Sequence, residues 1–290
     1  MNILIALLPA FFWGCTPLWT HICSGKPIQQ LVGTTYGALV VGILIYLIKQ
    51  PLMTPSIFWW SFLGGVGWSL GQLAQYRAFI NLGVATTSPI TAGIQLLGVN
   101  FIGVAFFGSW KSAIAKTIGG IAIVLIILGV FLTTRTGKKH QSIKNKKKFI
   151  KYVLELIIGT GIGYTACSTL PRIPDASGWS TFPGQTVGMI ISAVLIALIF
   201  YPRSHAVLSK ATFTNVLTGF NSGFGTLSYL ISMILNGVST GFTLSQMTTV
   251  VATFIGLVVL REHKSGKSLA YTLSGVALVV LGGVMTGFIH

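Results

Sequence analysis

Acidic side chains are nearly missing from this sequence. Its 290 residues hold three of them, Glu155, Asp175 and Glu262, against nineteen Lys and Arg. No two of these acids fall within one helical turn, and neither an HExxH pattern nor a glycine-rich phosphate loop of the GxxxxGKS type occurs. Hydrolysis by paired carboxylates, a helix-borne zinc site and a phosphate cradle are therefore excluded, and no enzyme activity, metal or cofactor is expected. Cysteine is equally scarce: Cys15, Cys23 and Cys167 are too few and too scattered for a disulfide framework or a thiolate metal site, and read as small apolar packers. Charged residues of both signs make up 8% of the chain, against about 25% in an ordinary globular protein. A soluble fold of this length would have no means of covering its surface.

What is present is hydrocarbon. Hydrophobic residues make up 52% of the chain and the mean hydropathy is +0.81. At about 20 apolar residues per crossing, this is material for ten membrane spans. Hydrophobic runs fall at Ile3–Ile22, Leu31–Ile48, Phe58–Ile80, Thr86–Phe107 and Ala113–Thr133, then at Tyr152–Leu170, Phe182–Tyr201, Phe213–Leu235, Thr240–Leu260 and Leu269–Ile289. The runs are twice too long for barrel strands and lack their alternation, so the spans are expected to be helices. The one stretch of solvated composition, TRTGKKHQSIKNKKKFIK, divides the chain into a first five-helix repeat (1–133), a basic linker (134–151) and a second five-helix repeat (152–290). The start, MNILIALLPAFFWG, has no basic segment and places Phe12 and Trp13 where a cleavage site needs small residues, so no cleavable leader is expected.

An excess of bases would suggest nucleic acid in a soluble protein, but here the bases lie between spans. Loops after the odd-numbered runs carry Lys26, Arg77, the eight bases from Arg135 to Lys151, Arg203, Lys210, Arg261, Lys264 and Lys267; the other side has Lys49, Lys111, Lys116 and Arg172. The positive-inside rule then places the central loop in the cytoplasm, against anionic lipid headgroups, and both termini outside a bacterial plasma membrane.

The halves resemble each other. GVATTSPITAGIQ from Gly83 is matched by GVSTGFTLSQ from Gly237, and GGVGWSLGQL from Gly64 by TGFNSGFGTL from Thr218, both 154 residues on; GIAIVL from Gly120 is matched by GVALVV from Gly275 at 155. An odd number of spans per half turns the second copy upside down. The expected fold is thus an all-α membrane protein of ten transmembrane helices in two five-helix inverted repeats, the architecture of alternating-access carriers. GxxxG pairs, Gly67/Gly71 and Gly219/Gly223, mark close helix contacts.

Polar and aromatic residues gather in stripes on these spans. Trp68, Gln72, Gln75 and Tyr76 share one helical face of the third run. Thr91, Gln95 and Asn100 stand on the fourth, Thr181, Gln185 and Ser192 on the seventh, Asn221, Ser228 and Ser232 on the eighth, and Ser245, Gln246, Thr249 and Thr253 on the ninth. Amides in hydrocarbon need partners. These either bond between helices, at about 0.6–2 kcal/mol per contact, or line a cavity with Trp and Tyr. No charge is expected deep within a helix, and Arg77 and Glu155 stand near helix ends. An interior of amides, hydroxyls and aromatic faces suits a neutral, polyhydroxylated solute, because each hydroxyl finds a partner and the C–H face of a ring can stack on Trp.

LLPAFFWGCTPLW, GKPIQQLVGTTYGAL, GWSLGQLAQYRAF, GVATTSPITAGIQLLG and GVSTGFTLSQ together resemble the glucose/ribose porter family of bacterial sugar uptake proteins, in the drug/metabolite transporter superfamily. The resemblance covers nearly the whole chain. It implies import of glucose or a similar monosaccharide, ribose included, by proton symport. The positions that match it include Trp13, Gln30, Trp68, Gln72, Gln95, Ser245 and Gln246. An exporter of drugs or neutral metabolites on the same fold is the alternative. The chain departs from the family at Phe107-Gly108-Ser109-Trp110, where members read FGEW, while Glu262 persists in the second half; this leaves the coupling ion open. The five histidines are expected in loops or at the terminus. Glu155 is the candidate for proton movement, with Lys151 one turn earlier as its expected ionic partner. The candidate substrate site is therefore Trp13, Trp68, Gln72, Gln75, Tyr76, Gln95, Asn100, Gln185, Asn221, Ser245 and Gln246.

Overall fold

The computed structural model describes residues 3–108, 110–135, 143–236, 244–264 and 266–287; these are helical almost throughout, with no strand among them. Twelve α-helices are described: α1 (Ile3–Gly14), α2 (Thr16–Cys23), α3 (Pro27–Lys49), α4 (Pro55–Leu82), α5 (Val84–Phe106), α6 (Ala113–Thr134), α7 (Ile143–Thr169), α8 (Gly178–Phe200), α9 (Lys210–Thr214), α10 (Val216–Asn236), α11 (Thr248–Phe254) and α12 (Gly266–Gly287). Starts follow local chemistry. Thr54, Ser112 and Ser177 accept from the backbone N–H groups of Ile57, Ala115 and Ser180 at the heads of α4, α6 and α8, and Pro27 and Pro55 occupy first-turn positions where a missing N–H costs nothing.

Among the described residues, seven helical stretches, with α1 and α2 counted together, are long and apolar enough to cross a membrane, and the chain is a multi-pass membrane protein. Each 23-residue helix, α3 for example, reaches about 35 Å, enough for a hydrocarbon core of about 30 Å. At 28 and 21 residues, α4 and α10 are long enough as well but more polar. They carry the stripes of amides and hydroxyls, and both are central in the packing. Two expected runs are broken. Ile3–Ile22 is interrupted at Cys15, just ahead of Pro17, and Phe213–Leu235 at Asn215, whose side-chain amide turns back to the carbonyls of Ser24 and Ala211. The run Thr240–Leu260 is described only from Leu244; after α11 it passes into a π-helical turn, Ile255–Val259.

Helices of the two halves interleave rather than forming separate bundles. In one set α4 packs on α7 and α8, and α5 on α7; in the other α10 packs on α1 and α3, and α11 on α1. Three further contacts, α3 with α8, α5 with α11 and α6 with α12, also join helices of the two halves. Glycine permits this closeness. A Cβ on Gly67 would stand 2.7 Å from the Gly163 carbonyl oxygen, and one on Gly219 2.3 Å from that of Thr34, so both GxxxG helices meet a backbone of the other half directly.

Candidate functional site

A cavity of about 380 Å³ lies between the halves, within the usual range of about 300–1,000 Å³ for small-molecule sites. Eight of the expected site residues line it: Trp13, Trp68, Gln72, Gln75, Gln95, Gln185, Ser245 and Gln246. The other three do not. Tyr76, at the edge of its stripe, is fully buried against α3, sharing a hydrogen bond of 2.9 Å with the Thr34 hydroxyl. Asn221 is spent inside the packing, donating to the Phe12 carbonyl at 2.7 Å. Asn100 lies outside the lining, its amide nitrogen buried without a partner among the described residues.

Much of the lining falls in pairs at a constant offset along the chain. Trp68, Gln72 and Gln75 on α4 are answered by Ser222, Thr226 and Tyr229 on α10, each 154 residues further on. Thr91, Ala92 and Gln95 on α5 are answered at the same offset by Ser245, Gln246 and Thr249. Trp13, Thr16 and Pro17 pair with Tyr164, Cys167 and Ser168 at an offset of 151, as Ala38 does with Met189. Sequence reasoning missed Ser222, Thr226, Tyr229 and Tyr164. The 154-residue offset applied to the stripe on the third run points directly at the first three; choosing Asn221 for its amide pointed one residue away.

One wall is a fixed network. Buried Tyr164 donates from its hydroxyl to Gln72 Oε1 at 2.9 Å and Gln75 Oε1 at 2.6 Å, and Gln72 Nε2 donates to Gln75 Oε1 at 3.2 Å. Both amide oxygens are turned to the tyrosine, which leaves the Gln75 amino group for the cavity. Gln95 Nε2 donates to Ser168 Oγ at 3.0 Å and Gln185 Nε2 to the Cys167 carbonyl, so these amides brace α5 and α8 against the end of α7. Trp13 donates from Nε1 to the Ser222 carbonyl and lies against Tyr229 with ring centroids 5.6 Å apart. Gln72, Gln75 and Gln95 thus stand on α4 and α5, and the Trp13–Tyr229 aromatic pair on α1 and α10.

Among the described residues, Arg172, in the 3₁₀ turn Leu170–Arg172 after α7, is the one charged residue in the lining and its one exposed residue, so the mouth lies at that end. Composition counted Arg172 only as a loop base. At the far end the halves are tied together. The Glu262 carboxylate accepts from the Val84 and Ala85 N–H groups, the latter at 3.0 Å, and so caps α5 where its helix dipole is positive. Lys264 donates to Thr86 Oγ1 at 2.7 Å and Thr272 Oγ1 at 2.9 Å; burial pushes its pKa down to about 8, and nearby Glu262 opposes the shift.

The expected pairing of Glu155 with Lys151 is corrected. Glu155 Oε1 lies 2.8 Å from Arg77 Nε on α4, and Arg77 also donates to the Tyr201 hydroxyl at 2.8 Å. A guanidinium held between α4, α7 and α8 competes for the carboxylate better than Lys151, which is exposed. Among the histidines expected in loops, His21 instead occupies the last turn of α2, while His140 and His290 lie outside the described residues.

Residues 4–289 match the family described as Sugar transport protein. A protein of Listeria monocytogenes provisionally named as a sugar uptake protein is 38% identical over 99% of both chains. One of Latilactobacillus sakei, provisionally named as a ribose uptake protein, is 36% identical over 100% of this chain and 99% of its own. The glucose uptake protein of Bacillus subtilis is 35% identical over 99% and 98%. One solved crystal structure, 17% identical, superposes with a TM-score of 0.63 over 98% of this chain and 97% of its own, a likeness of fold.

Proposed function

The chain belongs to the sugar transport protein family, and on that premise we propose that it is a ten-span importer of a neutral monosaccharide working by alternating access. Glucose is the first candidate, in keeping with the name of the Bacillus subtilis relative, and ribose the second. The observation that carries this reading is the cavity itself: amides, hydroxyls and aromatic faces, without an acid among the described lining residues, many of them in pairs at a constant offset along the chain. A sugar loses its hydration on entering such a site, and these groups replace it.

In this reading α1 with α2, α9 with α10, and α11 with its π-helical turn each count as one span, giving five per half. The repeated packing supports an inverted repeat: exchanging the halves turns α4 on α7 into α10 on α1, and α4 on α8 into α10 on α3. Alternating access is then a rocking of one half against the other around the fixed site. With the basic linker in the cytoplasm and the termini outside, the mouth at Arg172 faces outward and the Glu262–Lys264 tie closes the cytoplasmic end. Coupling to protons is assigned to Glu155, whose protonation would release Arg77 and loosen α4 from α7.

The test is uptake of labelled monosaccharides by cells lacking other routes, across a panel including glucose and ribose, with and without a proton uncoupler. Saturable accumulation of one sugar supports the reading; accumulation of none, or faster loss from preloaded cells, overturns import. Uptake driven by a pH gradient that survives Glu155→Gln undiminished removes Glu155 from the mechanism.

A further inference from the structure

We propose that Ser88 and Thr91, on α5, are the hydroxyls that select the sugar, each reserved for one hydroxyl group of the substrate. This deepens the proposed function and rests on it. The two residues are 6% and 5% exposed and both line the cavity; their oxygens are covered in this conformation and have no hydrogen-bonding partner among the described residues, so turning them to the cavity breaks no hydrogen bond. Four other buried side chains, Ser61, Asn100, Thr165 and Thr253, also have a polar atom without a partner, but none of them lines the cavity.

Serine and threonine in an apolar helix ordinarily return their proton to a carbonyl three or four residues back. Thr34, Thr160, Thr169 and Ser192 all do so in this protein, and so does Thr87, immediately before Ser88. Ser88 and Thr91 do not. They flank Pro89, which sits inside α5 and has no N–H to give the Ala85 carbonyl, so this turn lacks one backbone hydrogen bond. Spaced i and i+3, the two hydroxyls share one face, and Gln95 lies one turn further along it. Gln95 spends its amino group on Ser168, leaving its oxygen as an acceptor. With the two hydroxyls turned to the cavity, the face offers two groups that both donate and accept, then one acceptor, which matches a run of neighbouring hydroxyls on a sugar ring. The aromatic pair Trp13–Tyr229 is placed for the C–H face.

The test uses the purified full-length protein in detergent, with Ser88→Ala and Thr91→Val. Binding of glucose, ribose and the monodeoxy analogues of glucose is measured, together with the melting temperature without sugar. Each variant is expected to bind the preferred sugar about tenfold more weakly, the equivalent of about 1.4 kcal/mol. Each is also expected to bind one deoxy analogue as the wild type does, because the partner hydroxyl is already gone. Without sugar, melting should be unchanged or raised, since a buried hydroxyl lacking a protein partner is removed. A variant that melts lower, or that binds the sugar and every analogue as the wild type does, overturns the inference. If the wild type binds none of the sugars, the proposed function falls and this inference with it; if it binds and the variants match it, this inference alone falls.

Discussion

Removing the Tyr164 hydroxyl tests whether the amide wall is preset. Tyr164→Phe keeps the ring that packs against Gly71 and deletes only the donor shared by Gln72 Oε1 and Gln75 Oε1. Gln75 Oε1 retains the Gln72 amino group at 3.2 Å, so one acceptor, Gln72 Oε1, is left without its donor. An unsatisfied buried acceptor costs about 1–3 kcal/mol. The variant relieves that cost by rotating Gln72 toward the cavity, which also releases Gln75, and the donor offered to the sugar loses its position. Equilibrium binding to purified protein should show roughly a tenfold weaker dissociation constant, and uptake a raised KM with little change in maximal rate. An unchanged dissociation constant in a normally folded Tyr164→Phe protein would refute the idea that the tyrosine sets the amides.

Gly219→Leu should abolish recovery of monodisperse protein on size-exclusion chromatography, because its Cβ alone would stand 2.3 Å from the Thr34 carbonyl oxygen; normal recovery would mean that α3 and α10 are further apart. Glu262→Gln removes the negative charge at the head of α5 and should cost about 1–2 kcal/mol, read as a lower melting temperature, with equal melting counting against the tie. Lys264 titrates near 8 in the folded protein against an ordinary 10.5, so from about pH 8 to pH 10.5 the unfolded chain holds the extra proton. This contribution to stability is therefore complete above 10.5 and lost as pH falls through 8. Melting temperature should rise across that window in the wild type and rise less in Lys264→Met; identical pH profiles would contradict it.

Much of this was legible in the sequence, for physical reasons that differ by element. The stripe on the third run exposed Trp68, Gln72 and Gln75, because an amide in a membrane helix must face something other than lipid. Tyr76 belongs to the same stripe, yet a helix turns 100° per residue, and the stripe's edge faces α3 instead of the cavity. Amide chemistry alone misled at Asn221, where a side chain equally fit to bind a solute bonds a backbone carbonyl in the packing. The repeat offset carried the missing information, since it transfers geometry without regard to residue type and leads from Gln75 to Tyr229. Glu155 illustrates the limit of local reasoning: its partner Arg77 comes from another helix, which a preference for neighbours one turn away cannot find.

The central claim is that both halves touch one sugar at once. It is tested most directly by replacing Cys15, Cys23 and Cys167 and then introducing single cysteines through Gln72→Cys and Thr226→Cys, repeat-related positions on α4 and α10. Maleimide labelling of each should be slowed by the transported monosaccharide, half-maximally at the concentration that half-saturates that variant's own sugar binding, and not by a sugar that is not transported. Protection of one position without the other, or of neither at saturating sugar, would contradict a site shared between the halves.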